Sequence, residues 1–494
     1  MTQEIINKIK YFINNNQLIE AEKLADKYKD SKSTLILYLS GLIKNKLNKN
    51  EEALEYLKEI KEKLPEVLLL MANSMENLSR IDEAINSLNE AIKVNASYWQ
   101  AHFNKGLILM KLKKNDLLIQ AKKSFEKVLQ INSNNLDAEF YLGLIAANDD
   151  LSVAEKHYRK VISLNEKHQK AHAELGKILL FHGKLEEGWD EYKWRFDYLE
   201  KIYPKNITNI NIWNGKNANK QRLLVFREQG LGDEILYASC YEEIISKTSK
   251  CYFVCDNRLT NLFKNSFPKG DFLSEEIFSK NTDLKEIQPT ARVQSTLLPK
   301  YLRKTFRDFP KKKYLEPNKK NCEIWKKKLL NDSKKKLKVG IAWTSGENKK
   351  DDNLTSIQKP IEFKLNEWRH FLSVDNLFLV NLMYKNVKNE INNFNLNNKN
   401  KIFSYEDIDM KNDIDNVAAL ISNLDIVISA QTWIGDFASA LGVEVFKFHN
   451  IHSLTRLGQN DIPWNNSKIF DIKNNSWKES FELIKSSLNK RIIK

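Results

Sequence analysis

Small residues return in matching contexts through the first two hundred positions. They are Ala53 in "NEEALEYLKEI", Ala84 in "IDEAINSLNEA", Ala121 in "IQAKKSFEKVL", Ala154 in "SVAEKHYRKVI" and Gly188 in "LEEGWDEYKWRF", at spacings of 31, 37, 33 and 34. A period of this length marks supersecondary units that cannot bury an apolar face alone, so successive units must stack. Most are preceded by a helical segment with its own small residue: Gly41, Gly106, Gly143 and Gly176. The expected unit is therefore a pair of helices, each with a small residue of its own.

This pattern resembles the tetratricopeptide repeat, a pair of antiparallel helices whose small residues let the two approach closely. It covers roughly residues 2–195, with "LIEAEKLADKY" as an irregular first member. Tyr, Phe and Leu positions inside the repeats are read as repeat core. The resemblance implies an extended concave surface that holds a peptide or another protein, and it singles out no contact residue.

With 494 residues, the chain is longer than one core usually grows to, so two or three domains are expected. No run of about 18 apolar residues occurs, and Met1 leads into a polar, charged segment, so a soluble, cytoplasmic protein with no membrane span is expected. Four cysteines do not make a disulfide framework. Cys251 and Cys255 would share a strand face, without the further ligands a zinc site needs, and no metal is expected. The net charge of +15 would ordinarily point to nucleic acid or an anionic membrane. Here Lys far outnumbers Arg and is scattered or in solvated runs such as "KKNDLLIQAKK" and "NDSKKKLK", so no nucleic-acid partner is expected.

After Phe196 the helical period stops. "KIYPKNITNINIWNGKNANKQR" reads as a linker, and from Leu223 short apolar runs alternate with amphipathic segments. "LLVFRE" and "KCYFVCD" read as strands, followed by "LKVGIAWTSG", "LFLVNLMY", "LDIVISAQT" and "VEVFKFHN". "NDIDNVAALISNL" and "WIGDFASALG" read as helices among them. Alternating strands and helices imply βαβ units, and continuous apolar runs imply sheets covered on both faces. A Lys-rich, strand-poor interval near 316–336 divides the region in two. The expected organisation is an array over 1–197, a linker over 198–221, and doubly wound domains over 222–320 and 335–490.

Parallel sheets bind ligands beyond the carboxyl ends of their strands, which brings forward the loops Gly230 to Asp233, Thr344 to Gly346, and Ser429 to Gly435. The first, in "LLVFREQGLGDEILYA", is a strand, tight loop and helix, an arrangement suited to phosphate. It is not a dinucleotide fingerprint: Ile235 occupies the third glycine position and would crowd helix against strand, although Asp256 could mimic the ribose-binding acid. It is not a Walker loop either, since no Gly-Lys-Ser/Thr follows.

Taken in order, "EEGWDEYKWRF", "IWNG", "LLVFREQGLGDEILYA", "KKKYLEP", "VGIAWTSG", "DNVAALISNLDIVIS", "QTWIGDFASALG" and "DIPWNNSKIF" resemble bacterial tetratricopeptide proteins fused to a glycosyltransferase half. That half is similar to the heptosyltransferases of glycosyltransferase family nine, over about 180–480. The fold this implies is an α-helical tetratricopeptide solenoid followed by an α/β GT-B fold of two doubly wound Rossmann-like domains. The first would receive the acceptor and the second the nucleotide-sugar. The implied reaction is an inverting, metal-independent transfer to a protein or glycan acceptor, needing no cofactor beyond the donor substrate. The match makes Asp233 the candidate general base, a role compatible with the alternative of capping its helix. Gly230 and Gly232 would form the acceptor-side loop or a plain turn. Thr344, Ser345, Gly346, Ser429, Gln431, Thr432, Gly435 and Asp436 would form the nucleotide-sugar side.

Three positions depart from the family pattern: Gln431 where it usually has Asp, Asp436 where it has His, and Thr355 where it has Arg. Asp436 would repel a diphosphate unless turned away or protonated, or else would simply complement its helix dipole. Lys349, Lys350 and Lys385 would supply substitute donors or remain solvated. "HNIH", with His449 and His452, would line the cleft or be an ordinary loop; without an acidic partner, a loop is expected, and His370 takes no assigned role. The rival to a transferase is a binding scaffold whose transferase half has lost catalysis.

Overall fold

The computed structural model describes residues 2–28, 33–195, 207, 209–228, 230–276, 278, 284–344, 363–449, 454–471 and 476–492. They divide into two compact units between Ala171 and His172.

The first unit is a solenoid of helix pairs: α1 (Thr2–Asn14) with α2 (Leu18–Asp26), α3 (Thr34–Lys46) with α4 (Asn50–Lys58), α5 (Pro65–Asn77) with α6 (Ile81–Val94), α7 (Trp99–Lys111) with α8 (Asn115–Ile131), and α9 (Leu136–Ala146) with α10 (Leu151–Leu164). Ala53, Ala84, Ala121 and Ala154 are fully buried. A methyl group on Gly41 would lie 2.7 Å from Leu57, and one on Gly143 would lie 2.6 Å from the Tyr158 ring. The partner helix thus approaches closely at each glycine, as the resemblance implies. Four turns inside the pairs carry one residue in the left-handed region: Asn16, Asn48, Ser79 and Lys113. Around Asn48 and Ser79 the next N–H reaches back to close the preceding helix, Lys49 to Lys44 and Arg80 to Met75, each at 2.8 Å. The α9–α10 turn ends differently, with Asp150 accepting from the N–H groups of Ser152 and Val153.

The division between units lies N-terminal to the expected end of the array at 197, three residues into helix α11 (Gln169–Phe181). The reason lies in α12 (Leu185–Tyr192). Trp189 and Tyr192 enter the apolar core of the second unit, which runs on through Ile235 and Leu236 to Ile428 and Phe437.

That unit holds two parallel sheets. The first has the order β3-β2-β1-β4, from β1 (Arg222–Phe226), β2 (Lys250–Cys255), β3 (Asp271–Ser274) and β4 (Ala291–Gln294). The second has the order β10-β9-β8-β5-β6-β7, from β5 (Leu337–Ala342), β6 (Leu377–Asn381), β7 (Ile402–Phe403), β8 (Ile426–Ser429), β9 (Glu444–Phe448) and β10 (Lys468–Phe470). β1 and β8 are buried almost end to end, as strands covered on both faces should be. Strand order reverses beside β1 in one sheet and between β5 and β8 in the other, which opens a crevice at their carboxyl ends.

Part of the segment read as a linker is built into the first sheet. Ile212 bridges Arg292 in parallel, Trp213 donates to the Arg292 carbonyl at 2.8 Å, and the Trp213 ring packs 4.7 Å from Tyr301. Pairing at this edge satisfies backbone groups of β4 that would otherwise be open. The Lys-rich interval near 316–336 is largely the helix Lys319–Ser333, which buries Trp325 and Leu329.

Candidate functional site

The helix Leu231–Tyr237 follows β1, and the helix Trp433–Ala440 follows β8. They meet so closely that a methyl group on Gly232 would lie 2.7 Å from the Trp433 Cβ. Tyr314 ties the arrangement together, its hydroxyl donating to the Ile235 carbonyl and its N–H to that of Ala440, each at 3.0 Å. A cavity of about 160 Å³ opens beside this crossing, lined by Gly232, Asp233, Leu236, Gln431, Thr432 and Trp433, with Asp436, Lys447, His449 and Thr455 completing the wall.

Of two adjacent acids, only one faces this space. Glu234 is buried, pairs with Arg227 at 2.9 Å and accepts from the Asp256 N–H at 3.1 Å, so it braces the ends of β1 and β2. Asp233 is half-buried at the cavity wall. Burial pushes its carboxyl up to about 6; Arg195 pulls it down, Glu228 and Asp436 push it up, and the Gly230 N–H pulls it down by hydrogen bonding. Gly230 is the N-cap of the helix, so Asp233 satisfies an otherwise open donor there and also lines the cavity. Gly230 has ordinary extended backbone, φ −71°, and its own role is that of a turn.

Asp436 sits in the first turn of its helix and lines the cavity, as both expectations have it, but its charge is already matched. Its carboxylate accepts from Lys447 Nζ at 2.6 Å and from Asn465 Nδ2 at 3.2 Å, and it does not cap its helix. Lys447 is almost fully buried, so the pair is neutral as a whole and removes the repulsion expected of a lone Asp436. Gly435 makes room for this: a methyl group there would lie 3.1 Å from Ser429 and 3.3 Å from Lys447. Ser429 is turned inward, donating to the Ala430 carbonyl at 2.7 Å and sharing a 3.0 Å hydrogen bond with Thr432. Thr432 and Gln431 line the cavity, whereas Ser429, Gly435, Gly230 and the buried Thr344 do not. Ser345 and Gly346 lie outside the described residues, as do Lys349, Lys350, Thr355 and His452.

His449 lines the cavity and is not an ordinary loop residue; its Nε2 and the Thr455 hydroxyl share a 2.7 Å hydrogen bond. His370 pairs with Glu482 at 2.8 Å and does not line the cavity. Lys385 does not line it either. Sequence reasoning misses Lys447 and Trp433, although both sit in the stretches that carry the resemblance or just beyond them. Strand alternation in "VEVFKFHN" would place Lys447 on one buried face, opposite its apolar neighbours.

Among the described residues, no group of three or more His, Cys, Asp or Glu side chains is placed to hold a metal ion. Cys240, Cys251 and Cys255 are free and buried, and burial pushes each thiol up, which makes them poor nucleophiles. Among the same residues, no helix is long and apolar enough to cross a membrane.

Comparison with known proteins bears on both parts of the chain. The tetratricopeptide repeat family matches residues 100–135, which take in most of α7 and all of α8, and the helical array is a tetratricopeptide-type solenoid. Protein FlbA of Caulobacter vibrioides is 30% identical over 305 residues, covering 58% of this chain and 49% of FlbA. That share is larger than the first unit, so the similarity extends into the second. The chain spans about half the length of this curated relative. Among solved structures, YrrB, described as a tetratricopeptide protein with an unusual peptide-binding site, is 20% identical and covers 34% of this chain and 88% of its own, at a TM-score of 0.29. A thermophilic tetratricopeptide protein of Thermus thermophilus is 18% identical, covering 36% of this chain and 100% of its own, at 0.31. What stands is a tetratricopeptide solenoid followed by a region of parallel sheets.

Proposed function

We propose that the second unit is a glycosyltransferase of GT-B type that moves a sugar from a nucleotide-sugar to a protein or glycan acceptor, with Asp233 as general base. The observation that carries this reading is Asp233 itself, a carboxylate whose proton affinity is raised to about 6, set in the wall of a cavity at the carboxyl ends of two parallel sheets. A base of that strength is ionised at neutral pH and still takes a proton from an acceptor hydroxyl as its oxygen attacks. The helix beginning after Thr432 presents its positive end to the same cavity, where the departing diphosphate would gather charge. The tetratricopeptide array fits recruitment of a protein acceptor.

A thermal-shift panel of UDP-, ADP- and GDP-sugars, with and without divalent metal, tests the reading. A bound donor raises the melting temperature by mass action. A rise with one nucleotide class, unchanged by metal, is the expected result; no shift with any of them contradicts it.

The charge in and behind the cavity wall favours a second reading. Lys447 is already matched by Asp436 and Arg195 by Glu228, so a diphosphate would have to compete with a carboxylate for either cation. On that ground the alternative is a scaffold in which the repeats bind a partner protein and the sheets have lost transfer.

A further inference from the structure

We propose that Arg195, carried just beyond α12, is a positioning residue for the start of the helix that bears Asp233, and that α12 is therefore a support of the site and not a spacer. Arg195 is buried. One end of its guanidinium donates to the Tyr192 hydroxyl, the other to Glu228, and its plane lies 4.7 Å from the centre of the Tyr192 ring. Glu228 lies two residues after β1 and two before the Gly230 N-cap, its side chain almost wholly enclosed, and its second oxygen accepts from the Thr296 hydroxyl at 2.7 Å. Glu228, between β1 and the Asp233 helix, is thus clamped from two sides, by Arg195 and by the turn after β4. α12 is itself fixed to this unit: Trp189 packs 6.5 Å from Trp464, and Asp190 meets Lys300 at 2.5 Å.

The clamp has an electrostatic consequence. The charged and titratable groups that face Asp233 are Arg195 and Glu228 from one side, Asp436 with its partner Lys447 and His449 from the other, and Tyr237 on its own helix. Arg195 and Glu228 act on Asp233 in opposite senses, the cation favouring its ionised form and the carboxylate opposing it. Removing the cation alone leaves a buried carboxylate behind, so Asp233 would hold its proton to higher pH. Removing the carboxylate alone frees the cation to act on Asp233 unopposed.

This inference rests on the reading of Asp233 as the proton acceptor of the site, and its test needs no turnover. The full chain is labelled with carbon-13 at the aspartate carboxyl carbons, and the Asp233 resonance is assigned by its loss in Asp233→Asn. Its pH titration is then compared among variants. In Arg195→Met the inflection should rise by about one pH unit or more, as expected on losing a nearby opposite charge, and Arg195→Lys should keep most of the native value. In Glu228→Gln it should fall below the native value. A folded Arg195→Met with an unchanged inflection overturns the proposal. If Arg195→Met does not fold, Glu228→Gln decides: an inflection that does not fall overturns it. Shifts as stated, in a protein that transfers no sugar, would uphold Arg195 and remove the transferase reading.

Discussion

Asp436 shows how much of a site is settled by one contact that sequence leaves invisible. Read alone, it is a charge pointed at a diphosphate; in the structure it belongs to a buried pair with Lys447, eleven residues later and on another element. Breaking such a pair strands the surviving charge, so Asp436→Asn should cost on the order of 3–5 kcal/mol, read as a lower urea midpoint. Asp436→Met with Lys447→Met should recover much of that loss. Asp233 predicts a pH dependence. Its folded proton affinity, about 6, exceeds the ordinary carboxylate value of 3.8, so the folded state binds the extra proton. The stability this contributes is full below about pH 4 and is lost as pH rises through about 6. Asp233→Asn should therefore gain up to about 3 kcal/mol at pH 8 and almost nothing at pH 4. Urea unfolding at the two pH values checks this, and an equal effect at both would mean the carboxylate is not held in a protonating environment.

At the scale of elements, the strands legible in the sequence are those inside continuous apolar runs. β1, β2, β5, β6, β8 and β9 each coincide with a run read as a strand. β3, β4, β7 and β10 are two to four residues long and, unlike the equally short β8, have no more than two apolar residues in a row, so no run marks them. Without β4 the partner of Ile212 cannot be seen, which is why "INIWNG" reads as linker. The helix pairs are the most legible part, because each small residue answers a specific large one across the pair. Gly143→Ala should thus force the Tyr158 ring to move from 2.6 Å and cost roughly 1–3 kcal/mol. A melting temperature unchanged by that substitution would show that the two helices are free to separate. The site is legible to the extent that glycines and an acid follow a strand; choosing Asp233 over Glu234 comes from the resemblance, and the structure shows Glu234 spent on Arg227.

For the whole molecule, the end of the repeat pattern and the end of the first compact unit are different places. Residues 2–171 should form a helical fragment with a cooperative melt, because repeat stability is a sum over neighbours. Extending it to 195 adds Trp189 and Tyr192 without the core that buries them, and should raise binding of a hydrophobic dye. Equal dye binding by the two fragments would contradict the assignment of α12 to the second unit. Whether Asp233 acts as a base is measured most directly by the rate of nucleoside-diphosphate release from whichever nucleotide-sugar stabilises the protein. Asp233→Asn should bind this donor as the native chain does while release falls roughly a hundredfold to ten-thousandfold; release at the native rate would contradict it.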